Sequence, residues 1–222
     1  MTQTQPISGA VEEYLEAIHR LSGKQGALST TGLAERLGVK PASVTGMLKR
    51  LAAQGFITYR RYGRIELTPE GGRLAGSVIR RHRLAERLLT DVLGVPLDQV
   101  HDEACRLEHA LSPDVENRIA ERLGADVCPH GNPINSTPDR SVSLLDAPMN
   151  RPLTIVRLED ESPEVIRYLA EQSLLPGGTV TLKRREPLGG AVVLEVGGAA
   201  QTIGRDLAET IRVARPQREK RS

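Results

Sequence analysis

The chain is poor in aromatic residues: one Phe, four Tyr and no Trp among 222 positions. Stacking platforms for single-stranded nucleic acid need several such rings, which sets that binding class aside. Cysteine is scarce as well. Cys105 and Cys128 cannot build a disulfide scaffold, so each reads as a buried thiol, a ligand or a reactive group. No apolar run approaches the ~20 residues of a membrane span. Met1 to Gly9 lacks the basic and apolar blocks of a secretory signal. The expected setting is cytoplasmic, with no membrane partner. Hydrolase signatures are missing too. There is no His-Glu-x-x-His, no Gly-x-Ser-x-Gly and no phosphate loop, and the chain does not read as an enzyme.

Net charge is only +2, but the charge is unevenly placed. Residues 26–75 hold eight Lys or Arg (36, 40, 49, 50, 60, 61, 64, 73) against three Glu (35, 66, 70). The remainder holds 22 basic and 25 acidic residues. A basic N-terminal module on a slightly acidic body fits a polyanionic partner, although a solvated basic face would give the same excess.

Apolar spacing explains how that module folds. Val11, Tyr14, Leu15, Ile18 and Leu21 recur at helical intervals. Leu33 to Leu37 is a second, short helix stopped by Gly38, and Pro41 opens a third at its first position. The stretches 56–60 and 64–68 read as a hairpin around Arg61-Tyr62-Gly63. Helix, tight turn, helix and basic hairpin is the winged helix-turn-helix order. Its second helix would lie in the major groove of double-stranded DNA, bringing Lys40, Ala42, Ser43, Thr45 and Gly46 near base edges. Lys49, Arg50, Arg60, Arg61 and Arg64 would meet phosphates.

Further helices are expected from Pro69 to about Leu93, from Leu97 to Leu111, and from Pro113 to near Gly124. Residues 126–150, with five prolines or glycines among Asn, Ser and Asp, read as a linker or extended loop. Strands follow at 153–158, 179–185 and 191–196, interrupted by an acidic helix near 162–172. They suggest a small β-barrel. The expected domains are 1–74, 75–149 and 150–222.

The chemistry concentrates on the middle helices. At about 100° per residue, His101, Cys105, Glu108 and His109 share one helical face. His82 and Glu86 are four apart on the preceding helix, and Glu13 and Glu16 are three apart on the first. Imidazole and carboxylate suit Mn, Fe, Co, Ni and Zn, while a thiolate shifts preference toward softer ions. Any one of these residues could be solvated or hydrogen-bonded in a core, but six at helical spacing point to a metal. Rival readings are a metal-independent winged-helix regulator, a metalloenzyme, and a thiol redox sensor using Cys105 and Cys128.

The segments His82–Asp91 and Val100–His109 closely resemble the diphtheria toxin repressor family of iron- and manganese-dependent regulators. The resemblance extends over nearly the whole chain. It implies a mainly α fold with a small β domain: a winged helix-turn-helix, a helical metal-binding dimerisation domain, a proline-containing linker and a C-terminal SH3-like barrel. It also implies a homodimer on a pseudo-palindromic operator, acting as a repressor and activated by Mn(II) or Fe(II) at two sites per subunit. The ancillary site would use His82, Glu86 and His101, completed by oxygen ligands of the barrel, taken here as Glu159 and Asp160. The activating site would use Cys105, Glu108 and His109 with a first-helix residue at Glu13. Manganese-type members also carry an acid three residues later, matching Glu16. In this arrangement the metal would bridge the DNA-binding and dimerisation domains. An anion beside the ancillary site would meet Arg83 and Asn132.

Overall fold

The computed structural model describes residues 7–22, 28–60, 64–124, 126–135, 140–187 and 190–214. They fall into two compact units, Met1–Arg81 and His82–Ser222.

In the first unit, α1 (Gly9–Leu21), α2 (Thr30–Leu37) and α3 (Pro41–Ala53) precede a two-stranded antiparallel ribbon, β1 (Ile57–Tyr59) and β2 (Ile65–Leu67). The sequence signals act as expected. The Ser29 hydroxyl accepts from the Gly32 amide at 3.0 Å and caps α2, and Gly38 ends it at φ 63°. Pro41 stands at the start of α3, where its missing N–H costs nothing. Leu15, Ile18, Leu33, Val44, Leu48 and Leu51 bury completely into one core. Each such side chain contributes roughly 1.5–3 kcal/mol. The turn into α4 (Pro69–Arg87) is fixed by Thr68. Its hydroxyl donates to the Gly55 carbonyl at 2.7 Å and accepts from the Gly71 amide at 3.1 Å. A Cβ on Gly71 would stand 1.9 Å from the Phe56 carbonyl oxygen, so only glycine permits this approach. The wing residues 61–63, Arg61 among them, lie outside the described residues.

The second unit begins with His82, inside α4. The α-helix gives way to a π turn at Leu88–Val92, five residues earlier in character than the continuous helix expected to Leu93. Next come α5 (Leu97–Leu107), a 3-10 turn at Glu108–Ala110, and α6 (Pro113–Leu123), capped by Ser112. Two small apolar clusters hold these helices: Leu84, Ile119, Cys128 and Ile134 in one, Ala85, Leu89, Val100 and Ala104 in the other.

The remainder is an antiparallel sheet. Its strands are β3 (Val142–Ser143), β4 (Pro152–Leu158), β5 (Thr179–Arg185), β6 (Val192–Val196), β7 (Ala199–Ile203) and β8 (Ile211–Ala214). They are ordered β3-β8-β4-β5-β6-β7, with α7 (Pro163–Glu171) and α8 (Arg205–Thr210) in the connections. Among the described residues no pairing joins β3 to β7, so the expected barrel is an SH3-like sheet that is not closed. Alternate residues of β6 turn inward, which is why Val192, Leu194 and Val196 share a core with Ile155, Leu182 and Ile211.

Candidate metal centre and nucleic-acid interface

Helix α4 positions His82 and Glu86 one turn apart, both fully buried. Helix α5 carries His101 and Cys105, and the 3-10 turn at its end carries Glu108 and His109. These elements converge. His82 Nε2 lies 3.2 Å from Glu86 Oε1 and 3.1 Å from His101 Nδ1. Its other nitrogen, Nδ1, lies 2.6 Å from Glu108 Oε2 and 3.9 Å from Cys105 Sγ. His109 Nε2 is 3.3 Å from Glu108 Oε1. The two ligand sets expected from sequence therefore meet at His82, with one on each ring nitrogen.

Three more donors arrive from outside the helices. The segment expected to be a linker is in part a built turn. Val127 bridges Pro133, the Cys128 amide donates to the Asn132 carbonyl at 2.8 Å, and Cys128, His130 and Asn132 are buried. His130 Nδ1 lies 3.1 Å from Glu86 Oε1, and His130 Nε2 lies 3.3 Å from the Leu97 carbonyl, its natural acceptor. The segment between β4 and α7 supplies Glu161, with Oε2 3.1 Å from His101 Nδ1. The acid that the sheet domain brings to the centre is thus Glu161, not Glu159 or Asp160. Those two are engaged elsewhere. Glu159 pairs with Arg157 and Arg212, and Asp160 accepts from the amide and hydroxyl of Ser162 before α7.

The expected anion residues are also held by protein groups. Arg83 donates to the Pro133 carbonyl, and the Asn132 amide donates to the Leu158 carbonyl at 3.1 Å and to Glu161 Oε1 at 2.7 Å. In the first unit Glu13 is exposed, while Glu16 is buried and accepts from Arg20 at 2.8 Å.

Helical spacing points to neither His130 nor Glu161, and Cys128, a candidate ligand among the two cysteines, is not placed beside them by it. None shares a helix with another donor. The retrievable signal was a Cys-x-His pair embedded in a proline- and glycine-bounded turn.

Charge is strongly redistributed here. Burial opposes the imidazolium of His82, but hydrogen bonds with Cys105, Glu108 and Glu86 outweigh it and hold its pKa well above the usual value. His101 responds the same way: burial is overcome by Cys105, Glu161 and Glu86, and its pKa is pushed up to about 11. Burial would raise Glu86, yet three surrounding histidines hold its carboxyl well below the ordinary range. The Cys105 thiol, despite burial, is lowered by His101 and His82. Cys128 moves the other way, raised by burial and by Glu86 and Glu161.

The donor set fits a divalent metal. Three imidazole nitrogens face Glu86 Oε1, and Glu86 Oε2 is buried with no hydrogen-bond partner among the described residues. An unpartnered buried carboxylate oxygen is costly unless a cation meets it. His82, Glu86, His101 and Glu161 form one group whose donor atoms lie within 4.8 Å of one another, and Glu86, Cys128, His130 and Glu161 form a second.

The nucleic-acid face is simpler. Lys40, Ala42, Ser43, Gly46, Lys49 and Arg50 are exposed along α3, opposite the buried Val44 and Leu48. Thr45 is half-buried and donates its hydroxyl to the Pro41 carbonyl at 3.1 Å. Arg60 and Arg64 flank the ribbon, and both are exposed.

Known proteins share this architecture. Residues 7–65 match the family described as iron dependent repressor, N-terminal DNA binding domain, and residues 68–136 match its metal binding and dimerisation domain. Residues 142–215 match the FeoA domain. The diphtheria toxin repressor of Corynebacterium glutamicum is 35% identical over 219 residues, covering 91% of this chain and 94% of its own. The iron-dependent repressor IdeR of Mycobacterium leprae is 32% identical, covering 91% and 95%. A solved manganese-dependent transcriptional repressor in complex with manganese superposes with a TM-score of 0.85 at 31% identity, covering 92% of this chain and 99% of its own.

Proposed function

The chain belongs to the iron-dependent repressor family of transcriptional regulators, and from that premise we propose that it is a divalent-metal-activated, DNA-binding repressor acting as a homodimer in the cytoplasm. The observation that carries this reading is the buried cluster around Glu86, in a chain whose first unit presents a basic recognition helix.

When bound, the metal supplies positive charge and a fixed coordination geometry. The residues do the rest. His82, Glu86, His101 and Glu161 hold the ancillary position, with Cys128 and His130 adjoining it. Cys105, Glu108 and His109 hold the activating position. Glu108 accepts from His82 Nδ1, which turns Nε2 toward Glu86 and orients the ring as a ligand. Glu13 and Glu16 are the candidates for the carboxylate through which metal binding reaches the DNA-binding unit, in keeping with the family likeness. Linkage then requires that metal and DNA strengthen each other's binding. Val92, Leu93 and Val115, all exposed in the helical part, offer apolar surface for the dimer. No helix among the described residues is long and apolar enough to cross a membrane.

Imidazoles and carboxylates accept Mn(II) readily, while Cys105 and Cys128 favour Fe(II), Co(II) or Zn(II). Relatives of both the iron and the manganese type are consistent with this mixed donor set. The redox alternative is disfavoured at Cys128, which is buried with a raised pKa, whereas Cys105 is exposed and its pKa is lowered by His101 and His82.

The test begins with selection of a preferred duplex from a random-sequence pool. Its affinity is then titrated anaerobically with Mn(II), Fe(II), Co(II) and Zn(II). Binding should need metal and disappear on chelation and in Glu108→Ala. Unchanged affinity in both cases overturns the proposal.

A separate prediction concerns α3. Lys49→Ala and Arg50→Ala should weaken binding nearly uniformly across sequences. Each should also reduce the slope of log affinity against log salt by about 1, as for loss of one phosphate contact. Ser43→Ala should instead change the preferred sequence. Fluorescence anisotropy on matched and mismatched duplexes separates the two outcomes.

A further inference from the structure

Gly46 stands near the middle of α3, and nothing in the fold asks for a glycine there. Its backbone is helical, so it does not use the left-handed region that Gly38 occupies at φ 63°. A Cβ on Gly46 would meet nothing within 4 Å, whereas one on Gly71 would strike the Phe56 carbonyl. Glycine is the poorest helix former after proline, because it loses the most backbone freedom on folding. The free protein is therefore less stable for having it.

What marks the position is its surroundings. Residues three and four apart are neighbours on a helix surface. For Gly46 these are Ala42 and Ser43 on one side and Lys49 and Arg50 on the other, and all four are exposed. Gly46 is thus the centre of the solvent face of α3, with Val44, Leu48 and Leu51 buried behind it. Thr45, at the border, turns its hydroxyl back to the Pro41 carbonyl. Gly76 of α4 is also helical and exposed, with open space around a Cβ, but one of its neighbours at that spacing is the buried Ile79. An α-helix with its side chains is about 10–12 Å across, and the major groove is about 12 Å wide and about 8.5 Å deep. A helix entering the groove has little room to spare, and the centre of its face goes deepest.

We propose that Gly46 determines specificity through its missing side chain: it lets the middle of α3 lie directly against base edges, so that Ser43 reads them at hydrogen-bond distance. Lys49 and Arg50, one turn further on, keep the phosphate contacts, which carry no sequence information. The inference rests on the DNA-binding reading above and deepens it. Filling the space should make the free protein more stable and a poorer reader of sequence.

The test compares full-length wild type with Gly46→Ala, Gly46→Leu and Gly76→Ala, each saturated anaerobically with the metal that gives the tightest wild-type binding. The probes are the preferred duplex selected from the random pool and a scrambled duplex of equal length. In Gly46→Ala, amide hydrogen exchange within α3 should slow about fivefold, the gain expected of alanine over glycine in a helix interior. Affinity for the preferred duplex should fall about tenfold or more, as one added carbon does in a close-packed contact, and further in Gly46→Leu. Affinity for the scrambled duplex should stay within about twofold, since phosphate contacts supply it. Gly76→Ala should leave both affinities unchanged.

Equal or tighter binding of the preferred duplex by Gly46→Ala overturns the proposal. So does an equal loss on both duplexes, which means that the helix was displaced as a whole. Faster exchange in α3 also overturns it, because the fold itself then needs the glycine, and so does a matching loss in Gly76→Ala. Wild type that prefers no duplex overturns the DNA-reading premise, whereas wild type and Gly46→Ala that discriminate equally well overturn only the role of Gly46.

Discussion

Glu86→Ala should remove metal-dependent DNA binding at metal concentrations that saturate wild type. The carboxylate sits among His82, His101 and His130, and no neighbouring acid replaces it: Glu161 is held by Asn132 and His101. Loss of residues that merely orient a ligand lowers metal affinity 10–100-fold as an order of magnitude. Loss of a carboxylate common to both donor groups should reach at least the upper end, about 100-fold. The ion-free protein should weaken too. His82 and Glu86 are both fully buried, and removing one partner of such a pair costs about 3–5 kcal/mol. Isothermal titration with Mn(II) and thermal melting without metal measure the two effects separately. Wild-type metal affinity in Glu86→Ala would place the ion elsewhere.

The pH dependence of the ion-free protein follows from the same contacts. The raised pKa values of His82 and His101 contribute stability that is complete below the unfolded value of 6.5 and is lost as pH rises through the folded values, about 11 for His101. Glu86 has the opposite sign. Its contribution is present above the unfolded value of 4.5 and is lost as pH falls through the depressed folded one. Melting temperature should therefore be highest between about pH 4.5 and 6.5, fall as pH rises above 6.5 and fall again on the acid side, and Glu86→Ala should flatten that acid limb. Metal competes with the imidazole protons, so metal affinity should rise with pH and binding should release protons.

What could be read from sequence was whatever repeats within one element. His82 and Glu86 are one turn apart on α4, and His101 and Cys105 one turn apart on α5, so helical spacing alone placed them on shared faces. The winged unit was legible for the same local reasons: Ser29, Gly38 and Pro41 each mark a helix boundary through their own backbone chemistry. Glu161 was missed although its neighbours Glu159 and Asp160 were chosen. Composition identifies an acidic stretch, but only the course of the chain leaving β4 decides which carboxylate turns inward. Neither His130 nor the placement of Cys128 beside Glu86 follows from spacing, for a related reason. Proline and glycine announce irregular backbone, and irregular backbone was equated with a linker. Here the irregularity is what lets a short turn enter the site.

Gly131→Ala should unseat that turn. Gly131 has φ 81°, a conformation that costs a residue with a Cβ about 1–2 kcal/mol. The added carbon would also stand 1.9 Å from the carbonyl oxygen of Val156, where the β4–β8 register shifts. That oxygen lies at the irregularity of β4, between Ile155 and Arg157, which both pair with β8, so its retreat would disturb that ladder. The turn itself is bound to the same strand: Leu158 donates its amide to the His130 carbonyl at 2.9 Å, and its carbonyl accepts from Asn132. Backing away from Val156 would therefore loosen both bonds and withdraw Cys128, His130 and the Asn132 that orients Glu161. The expected result is a loss of more than about 2 kcal/mol in second-unit stability. It should come with loss of a cobalt–thiolate band from Cys128, while α3 in the first unit keeps Lys49 and Arg50 exposed. Gly124→Ala provides the control, because it too has positive φ, 78°, but a Cβ there meets nothing within 4 Å. If the two variants melt alike and both keep the band, backbone strain explains everything and the close approach at Val156 is not what holds the turn. If Gly131→Ala alone loses the band, the contact between a glycine and a strand carbonyl decides whether the metal centre receives its thiol.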